Sequence, residues 1–147
     1  MKEFEIFDVL IVEDNPLDAE LMIRALRKSN IANPLHVVED GAEALDFIFA
    51  RGRYLNRSGV KPPRVVLLDI KLPKLSGLEV LKAIKGNEST KNIPVVMVTS
   101  SREDPDTQAA YLLGANSYVV KPVESAAFIN TMGSLGLYWL IVNQPAE

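Results

Sequence analysis

Five short apolar runs, each followed by a helical pattern, constrain the fold of this 147-residue chain more than any other feature. The runs are rich in β-branched residues and only a few residues long, so they predict strands that are covered on both faces. The predicted strands lie at residues 8–12, 35–39, 65–69, 93–98 and 117–120. Helices are expected to begin near residues 16, 41, 77, 105 and 125, the fourth ending at Gly114 and the last reaching about residue 142. This alternation predicts an α/β fold, a doubly wound parallel sheet of five strands.

Length and composition limit the classes of protein to consider. The chain has room for one domain, expected over residues 1–147 with a core of about 6–142 and no output domain. A net charge of −3 argues against non-specific nucleic-acid binding, and the absence of cysteine excludes disulfides and thiolate metal sites. The apolar runs are too short for a membrane span, and the N-terminus does not resemble a signal peptide, so we expect a cytoplasmic protein with no membrane partner.

Polar side chains follow four of the predicted strands. Glu13 and Asp14 follow the first strand, Asp69 ends the third, Thr99 and Ser100 follow the fourth, and Lys121 follows the fifth. In open α/β sheets the ligand site lies beyond the carboxyl ends of the strands. We therefore expect three carboxylates, two hydroxyls and one ammonium group to converge at one edge of the sheet.

This set of side chains favours phosphoryl chemistry assisted by a divalent cation. Three carboxylates and one lysine leave a net charge of −2, which a cation bound by oxygen ligands would neutralise; Mg²⁺ fits such a partly built site, with Mn²⁺ or Ca²⁺ as alternatives. An aspartate such as Asp69 can act as a nucleophile toward a phosphoryl group. The single histidine, His36, falls near the start of the second strand and is interpreted as structural or solvated.

Four motifs in order resemble the receiver domains of two-component response regulators. They are Val12-Glu13-Asp14-Asn15, residues 67–73 with Gly77, Val98-Thr99-Ser100, and residues 118–122 ending in Lys121-Pro122. Each motif is weak alone, but their order over residues 6–142 is specific. The resemblance implies the flavodoxin-like (βα)5 receiver fold and a signalling role rather than an enzymatic one, with catalysis limited to the domain's own phosphotransfer and autodephosphorylation.

The resemblance also implies roles for residues around the acceptor. Asp69 would accept the phosphoryl group from a histidine kinase or a histidine phosphotransfer protein. Glu13 and Asp14, with Asp69 and the backbone carbonyl of Lys71, would hold Mg²⁺. Lys71 and Ser101 match the variable positions at which family members differ in autodephosphorylation rate.

Further implied roles lie on the last two strands. Thr99 and Lys121 would contact the phosphoryl group, and Tyr118 would turn inward when Thr99 moves. The Lys121–Pro122 bond would be a cis peptide. The switched surface, formed by helix four, strand five and helix five, would be read by a downstream protein effector.

Simpler interpretations remain for individual residues. Glu13 and Asp14 alone would suit the start of a helix, Thr99 and Ser100 would suit a cap, and Tyr118 would suit the core. The competing functions are a magnesium-dependent hydrolase, a cofactor-binding domain and an inactive scaffold. The first turn lacks Asp-x-Asp and any glycine-rich phosphate loop, and every chemical position of a receiver is filled, so these alternatives are disfavoured.

Two segments extend beyond the family minimum. Residues 51–64 carry five basic residues and no acid, and they predict a solvated insertion loop, with a docking surface for an acidic partner as the alternative. In the last helix one face contains Phe128, Met132, Leu135, Trp139 and Val142, with Leu137 and Ile141 opposite and Gly133 and Gly136 at points of close packing. This pattern predicts a homodimer or partner interface, and both segments are similar to single-domain regulators that partner bacterial phytochromes.

Overall fold

The sheet has the predicted five parallel strands. The protein was analysed as a computed structural model that describes residues 7–100, 103–122 and 125–142, without the side chains of residues 137, 141 and 142. The strands are β1 (Val9–Val12), β2 (Leu35–Val38), β3 (Val65–Leu68), β4 (Val95–Thr99) and β5 (Ser117–Val120). Their order is β2-β1-β3-β4-β5, so the chain reverses its direction of progress between β1 and β3. Ligands bind at this reversal in doubly wound sheets.

Five helices connect and follow the strands, as the sequence predicts. They are α1 (Pro16–Lys28), α2 (Gly41–Ile48), α3 (Gly77–Lys85), α4 (Asp104–Leu112) and α5 (Ala126–Leu137). Side-chain oxygens cap four of them, from Asn15, Asp40, Ser76 and Ser125. None of the helices in the described part of the chain combines the length and apolar character needed to span a lipid bilayer.

Alternate residues of each central strand enter different cores. Val9 and Ile11 of β1 pack with α1 and α5, whereas Leu10 and Val12 pack with α2, α3 and α4. This is the period-2 geometry of a strand covered on both faces, and it explains why β1 and β3 are continuous apolar runs. The predicted boundaries are one or two residues too early for β1 and β4, because hydrophobicity does not mark where pairing begins.

The insertion at residues 51–64 is only partly a solvated loop. Residues Gly52–Arg57 form a 3₁₀ helix that places Tyr54 and Arg57 in the interior, with 8% and 9% of their surfaces exposed. The guanidinium carbon of Arg57 lies 3.9 Å from the ring centre of Phe47. The expectation of a solvated loop is therefore wrong for these two residues, because aromatic faces and the Tyr54 hydroxyl partners compensate for burial.

The last helix ends differently from the prediction. The α-helix stops at Leu137 and a π-helical turn, Tyr138–Val142, continues it. Phe128 and Met132 are buried as predicted, and Leu140 is buried as well. The predicted side-chain positions of residues 137, 141 and 142 lie outside the described part of the structure.

The two glycines of α5 lie at points of close packing, as the sequence predicts, and the structure shows that the neighbours are the end of α1 and the residues that follow it. A Cβ atom on Gly133 would lie 2.1 Å from the Ser29 hydroxyl oxygen, and one on Gly136 would lie 2.4 Å from the Ile31 side chain. The loss of helix propensity at these positions is thus offset by close packing of α5 on α1.

Candidate functional site

Two buried carboxylates stand at the reversal point of the sheet. Glu13 directly follows β1, where its N–H donates to the Val38 carbonyl, and Asp69 directly follows β3, where its N–H donates to the Val12 carbonyl. These backbone bonds continue the parallel ladder one residue beyond each strand. They fix both side chains at the carboxyl edge, where only 2% of the surface of Glu13 and 7% of that of Asp69 is exposed.

Three carboxylates are close enough to share one cation. Glu13, Asp14 and Asp69 each offer an oxygen, and these oxygens lie within 4.8 Å of one another. Glu13 and Asp69 are buried and Asp14 is exposed, so the cluster faces solvent on one side. An incomplete set of oxygen ligands, open to water, fits Mg²⁺ or Mn²⁺, which keep several water or phosphate ligands.

The ammonium group of Lys121 lies at the centre of the acidic cluster. Its Nζ donates to Glu13 Oε1 at 2.5 Å, to Asp18 Oδ2 at 2.9 Å and to Asp69 Oδ2 at 3.2 Å. The Lys121 N–H also donates to the Thr99 carbonyl, which anchors the residue beside β4. The lysine from β5 thus reaches the acids that follow β1 and β3, as the order of strand ends predicts.

Asp18 belongs to the site but escaped the sequence analysis. It lies in the first turn of α1, where its N–H donates to the Oδ1 atom of the capping residue Asn15. With Asp18 the site contains four carboxylates, three of which accept from Lys121, and its formal charge is −3 instead of −2. The available signal was positional: an acid in the first turn of a helix that starts three residues after Glu13 must lie near the same edge of the sheet.

The electrostatics of the site reflect this crowding. Burial, reinforced by the charge of Asp69, raises the pKa of Glu13 to about 7 although Lys121 and the Asn15 N–H favour its ionised form. Burial alone would lower the pKa of Lys121, but its hydrogen bonds to Glu13 and Asp18 and the charge of Asp69 raise it. The lysine therefore stays charged. The carboxylates still outnumber it, so a second cation would be stabilised at this site.

The remaining predicted residues take different positions. Thr99 is the last residue of β4 and is fully buried, and Tyr118 in β5 is half-buried, its ring centre 6.4 Å from that of Tyr111 in α4. Lys71 is exposed and its N–H approaches Asp69 Oδ1 at 3.4 Å. Ser101, the second predicted rate-tuning residue, lies outside the described residues.

Two backbone features lie close to the carboxyl edge of the sheet. The Lys121–Pro122 peptide bond is cis. Gly77 donates its N–H to the Ile70 carbonyl, and a Cβ at this position would lie 1.9 Å from the carbonyl oxygen of Asp69. The loop after β3 therefore folds back on itself only because residue 77 has no side chain.

Comparison with known proteins gives the family context of this geometry. The family model for the response regulator receiver domain matches residues 9–132. Response regulator Rcp1 from Synechocystis is 36% identical over 132 residues, which are 90% of this chain and 88% of Rcp1. Its Mn²⁺-bound crystal structure superposes with a TM-score of 0.84 at 34% identity, covering 95% of this chain and 98% of that one.

Two further solved structures are similar along nearly the whole chain. The bacteriophytochrome response regulator AtBRR is 46% identical, with a TM-score of 0.77 and coverage of 98% of this chain and 99% of its own. The phosphorylated cyanobacterial phytochrome response regulator RcpA is 30% identical, with a TM-score of 0.85 and coverage of 97% and 100%. The fold of this chain is thus shared with these proteins along nearly its whole length.

Proposed function

Because the chain belongs to the response regulator receiver domain family, we propose that it is a phosphorylation switch whose acceptor is Asp69. The observation that carries the proposal is the meeting of Asp69, Lys121 and the cluster of carboxylates at one edge of the sheet. The phosphorylated state of RcpA, a relative of the same fold, supports it. The domain is a signalling protein, and we propose that its catalysis is limited to its own phosphotransfer and dephosphorylation.

The proposed chemistry is a displacement at phosphorus. A carboxylate oxygen of Asp69 attacks the phosphorus atom, and the bond to the donor breaks, which is a P–N bond when the donor is phosphohistidine. The bonding electrons leave with the donor atom, which regains a proton from solvent when it needs one. The buried ammonium of Lys121, 3.2 Å from Asp69, is placed to donate to a phosphoryl oxygen, and Thr99 at the end of β4 is the proposed hydroxyl donor.

The donor set of the site fits a divalent cation. Glu13, Asp14 and Asp69 would hold Mg²⁺, or Mn²⁺ as in the Rcp1 structure, and the backbone carbonyl of Lys71 is the proposed further ligand. When bound, the cation would offset charge on the phosphoryl oxygens and on the carboxylates. The raised pKa of Glu13 shows that burial with neighbouring acids leaves this carboxylate short of positive charge, which supports the assignment.

The proposed switch runs from the acceptor to the face formed by α4, β5 and α5. Thr99 and Tyr118 lie on neighbouring strands, where Thr99 pairs with Val120 and Met97 pairs with Tyr118. We propose that Thr99 moves toward the phosphoryl group and that Tyr118 then turns inward. Tyr111 and Leu112 of α4, both exposed, lie on the surface that this movement would change for a downstream effector.

The proposed partners follow from the family. A histidine kinase or a histidine phosphotransfer protein would supply the phosphoryl group in the cytoplasm, and the relatives AtBRR and RcpA favour a sensor of the phytochrome type. We also propose that residues 1–147 act as one receiver unit and that the last helix forms a homodimer. The exposure of Tyr138 at the end of α5 supports such an interface.

Intact mass after incubation with acetyl phosphate tests this function. With Mg²⁺ we expect a gain of one phosphoryl group that chelation prevents and that Asp69→Asn abolishes. The matched control is Asp106→Asn, an acid of α4 outside the cluster, which should be labelled as the wild type is. Full labelling of Asp69→Asn would show that the acceptor is another residue, and no labelling of the wild type with any donor would favour the scaffold.

A further inference from the structure

We propose that Asp18 is a positioning residue of this site, whose carboxylate holds the Lys121 ammonium in place while the other two acceptors change partners. The inference rests on the proposed function, because it concerns how the same site keeps its lysine aimed at the acceptor. It assigns a role to an acid that lies outside the motifs by which the chain resembles its family.

The hydrogen-bond donors of Lys121 are all matched by carboxylate acceptors. An ammonium group has three N–H bonds and accepts none. In this structure three carboxylate oxygens surround the nitrogen, from Glu13, Asp18 and Asp69, at 2.5, 2.9 and 3.2 Å. With only 11% of the lysine side chain exposed, the three acceptors match the three donors.

Two of these acceptors change their bonding during the proposed reaction. Asp69 would form a bond to phosphorus, and Glu13 belongs to the cluster whose oxygens lie close enough to share a cation. Asp18 is not one of the three carboxylates whose oxygens lie close enough to share a cation. It is therefore the acceptor whose bond to Lys121 does not depend on whether cation and phosphoryl group are present.

The position of Asp18 in the structure restricts the movement of its side chain. Asp18 lies in the first turn of α1, which Pro16 restricts and where the Asn15 side chain accepts from both the Leu17 and the Asp18 N–H groups. The Asp18 side chain is 24% exposed, so water competes for it less than for a surface acid. A short side chain on a capped helix loses little freedom when it binds a lysine that would otherwise be free to rotate about four bonds.

The first test uses metal-free, unphosphorylated protein and observes the lysine itself. Nitrogen-15 NMR of side-chain ammonium groups should show Lys121 as a slowly exchanging signal in the wild type. Asp18→Ala should broaden or remove this signal, and Asp18→Asn, which keeps an oxygen acceptor, should retain it. Glu20→Gln, an exposed acid two residues along α1, is the matched control and should leave it unchanged.

The second test is the rate of phosphoryl uptake from acetyl phosphate at saturating Mg²⁺. We expect Asp18→Ala to slow uptake about tenfold, the size expected for one hydrogen bond between charged groups, and Asp18→Asn to recover to within about threefold of the wild type. Circular dichroism on each variant separates this effect from a loss of folding. A role in charge alone would instead make the alanine and asparagine variants equally slow.

The outcomes separate the two proposals. If the wild type takes up phosphate and Asp18→Ala keeps both its rate and the Lys121 signal, the positioning role is wrong and the proposed function stands. If the wild type takes up no phosphate, the proposed function fails. The NMR comparison in metal-free protein still decides whether Asp18 holds the lysine.

Discussion

Two clusters of partly buried polar side chains in this protein are built in opposite ways. At the carboxyl edge, the acceptor cluster consists of the ammonium of Lys121 and the carboxylates of Glu13, Asp14, Asp18 and Asp69. Beside the opposite end of β2, the aromatic cluster places His36, Tyr54 and Arg57 among the rings of Phe7 and Phe47. The first gathers like charges, whereas the second surrounds each polar group with rings and hydrogen bonds.

The hydrogen bonds of the aromatic cluster are mutually consistent. The Tyr54 hydroxyl donates to Glu43 Oε2 at 2.6 Å, so its oxygen is left to accept from His36 Nε2 at 2.9 Å. The His36 ring stacks on that of Phe47, with 4.8 Å between their centres. Burial and Glu43 raise the pKa of Tyr54 to about 12, which keeps the hydroxyl protonated.

The balance of charge distinguishes a reactive site from a structural one in this protein. In the aromatic cluster the Tyr54 hydroxyl bonds to both Glu43 and His36, and aromatic rings pack against the Arg57 guanidinium, so no excess of like charge builds up. In the acceptor cluster the carboxylates outnumber the cation, and the pKa of Glu13 is raised to about 7, so that its ionised form is not strongly favoured at neutral pH. Such an imbalance is kept where a ligand supplies the missing charge.

Removal of the Lys121 ammonium should destabilise the protein more than any other change and should distinguish the two clusters. Lys121→Met leaves the buried Glu13 without its cation, so the free energy of unfolding of the metal-free protein should fall by about 3 kcal/mol at pH 8. The loss should be smaller at pH 5, where Glu13 binds a proton instead. Urea denaturation at both pH values measures this change in the free energy of unfolding. Lys82→Met, at an exposed lysine of α3, is the control. An equal loss at both pH values would contradict the role of charge.

Removing the cation of the aromatic cluster should cost less and show no such pH dependence. Arg57→Ala removes the contact of the guanidinium with Phe47 and the packing of the arginine's methylene groups. The free energy of unfolding should therefore fall by about 2 kcal/mol, at pH 5 and pH 8 alike. Phosphoryl uptake should equal that of the wild type. Arg53→Ala, whose side chain is exposed, is the control and should change stability by less than about 0.5 kcal/mol. Slower uptake in Arg57→Ala would mean that the clusters are coupled.

The excess of negative charge in the acceptor cluster should make the free energy of unfolding of the wild type depend on pH. The folded-state pKa of Glu13, about 7, lies above its ordinary value of 4.5, so between these values the folded protein holds a proton that the unfolded chain has released. The stability of the metal-free protein should therefore decrease as pH rises through this window, on the order of 2 kcal/mol. Saturating Mg²⁺ should reduce the decrease, because it stabilises the carboxylate. Unfolding curves from pH 4.5 to 7.5, with Mg²⁺ or chelator, measure both; a curve unaffected by Mg²⁺ would argue against binding at Glu13.

The smallest expected effect concerns one hydroxyl group. Tyr54→Phe should lower the free energy of unfolding by about 1 kcal/mol, because Glu43 and His36 each lose a partner. In the wild type this contribution should be complete below pH 10 and disappear as pH rises to about 12, since the folded-state pKa is the higher one. Ultraviolet titration of the tyrosines, compared between wild type and variant, locates the pKa. A normal pKa for Tyr54 would show that the hydroxyl is solvated.

The fold and most of the acceptor cluster could be predicted from sequence because both depend on local order. Continuous apolar runs mark strands buried on both faces, and residues such as Glu13 and Asp69 come directly after them. Once the alternation of strands and helices is recognised, parallel pairing brings these strand ends to one edge. Prediction of Lys121 beside the acids succeeded for the same reason, although 108 residues separate it from Glu13.

Contacts between distant segments could not be predicted from the sequence, because no local pattern specifies which side chains will meet. The third carboxylate on Lys121 comes from Asp18, whose place in the first turn of α1 puts it near this edge of the sheet but does not specify its contact with the lysine. The composition of the basic insertion predicts a solvated loop. In the structure Arg57 is instead buried against Phe47, because the edge of the sheet and α2 leave an aromatic surface there. Composition and periodicity report which surfaces a segment can bury, whereas which side chain covers them depends on distances between segments that form only when the sheet and helices pack.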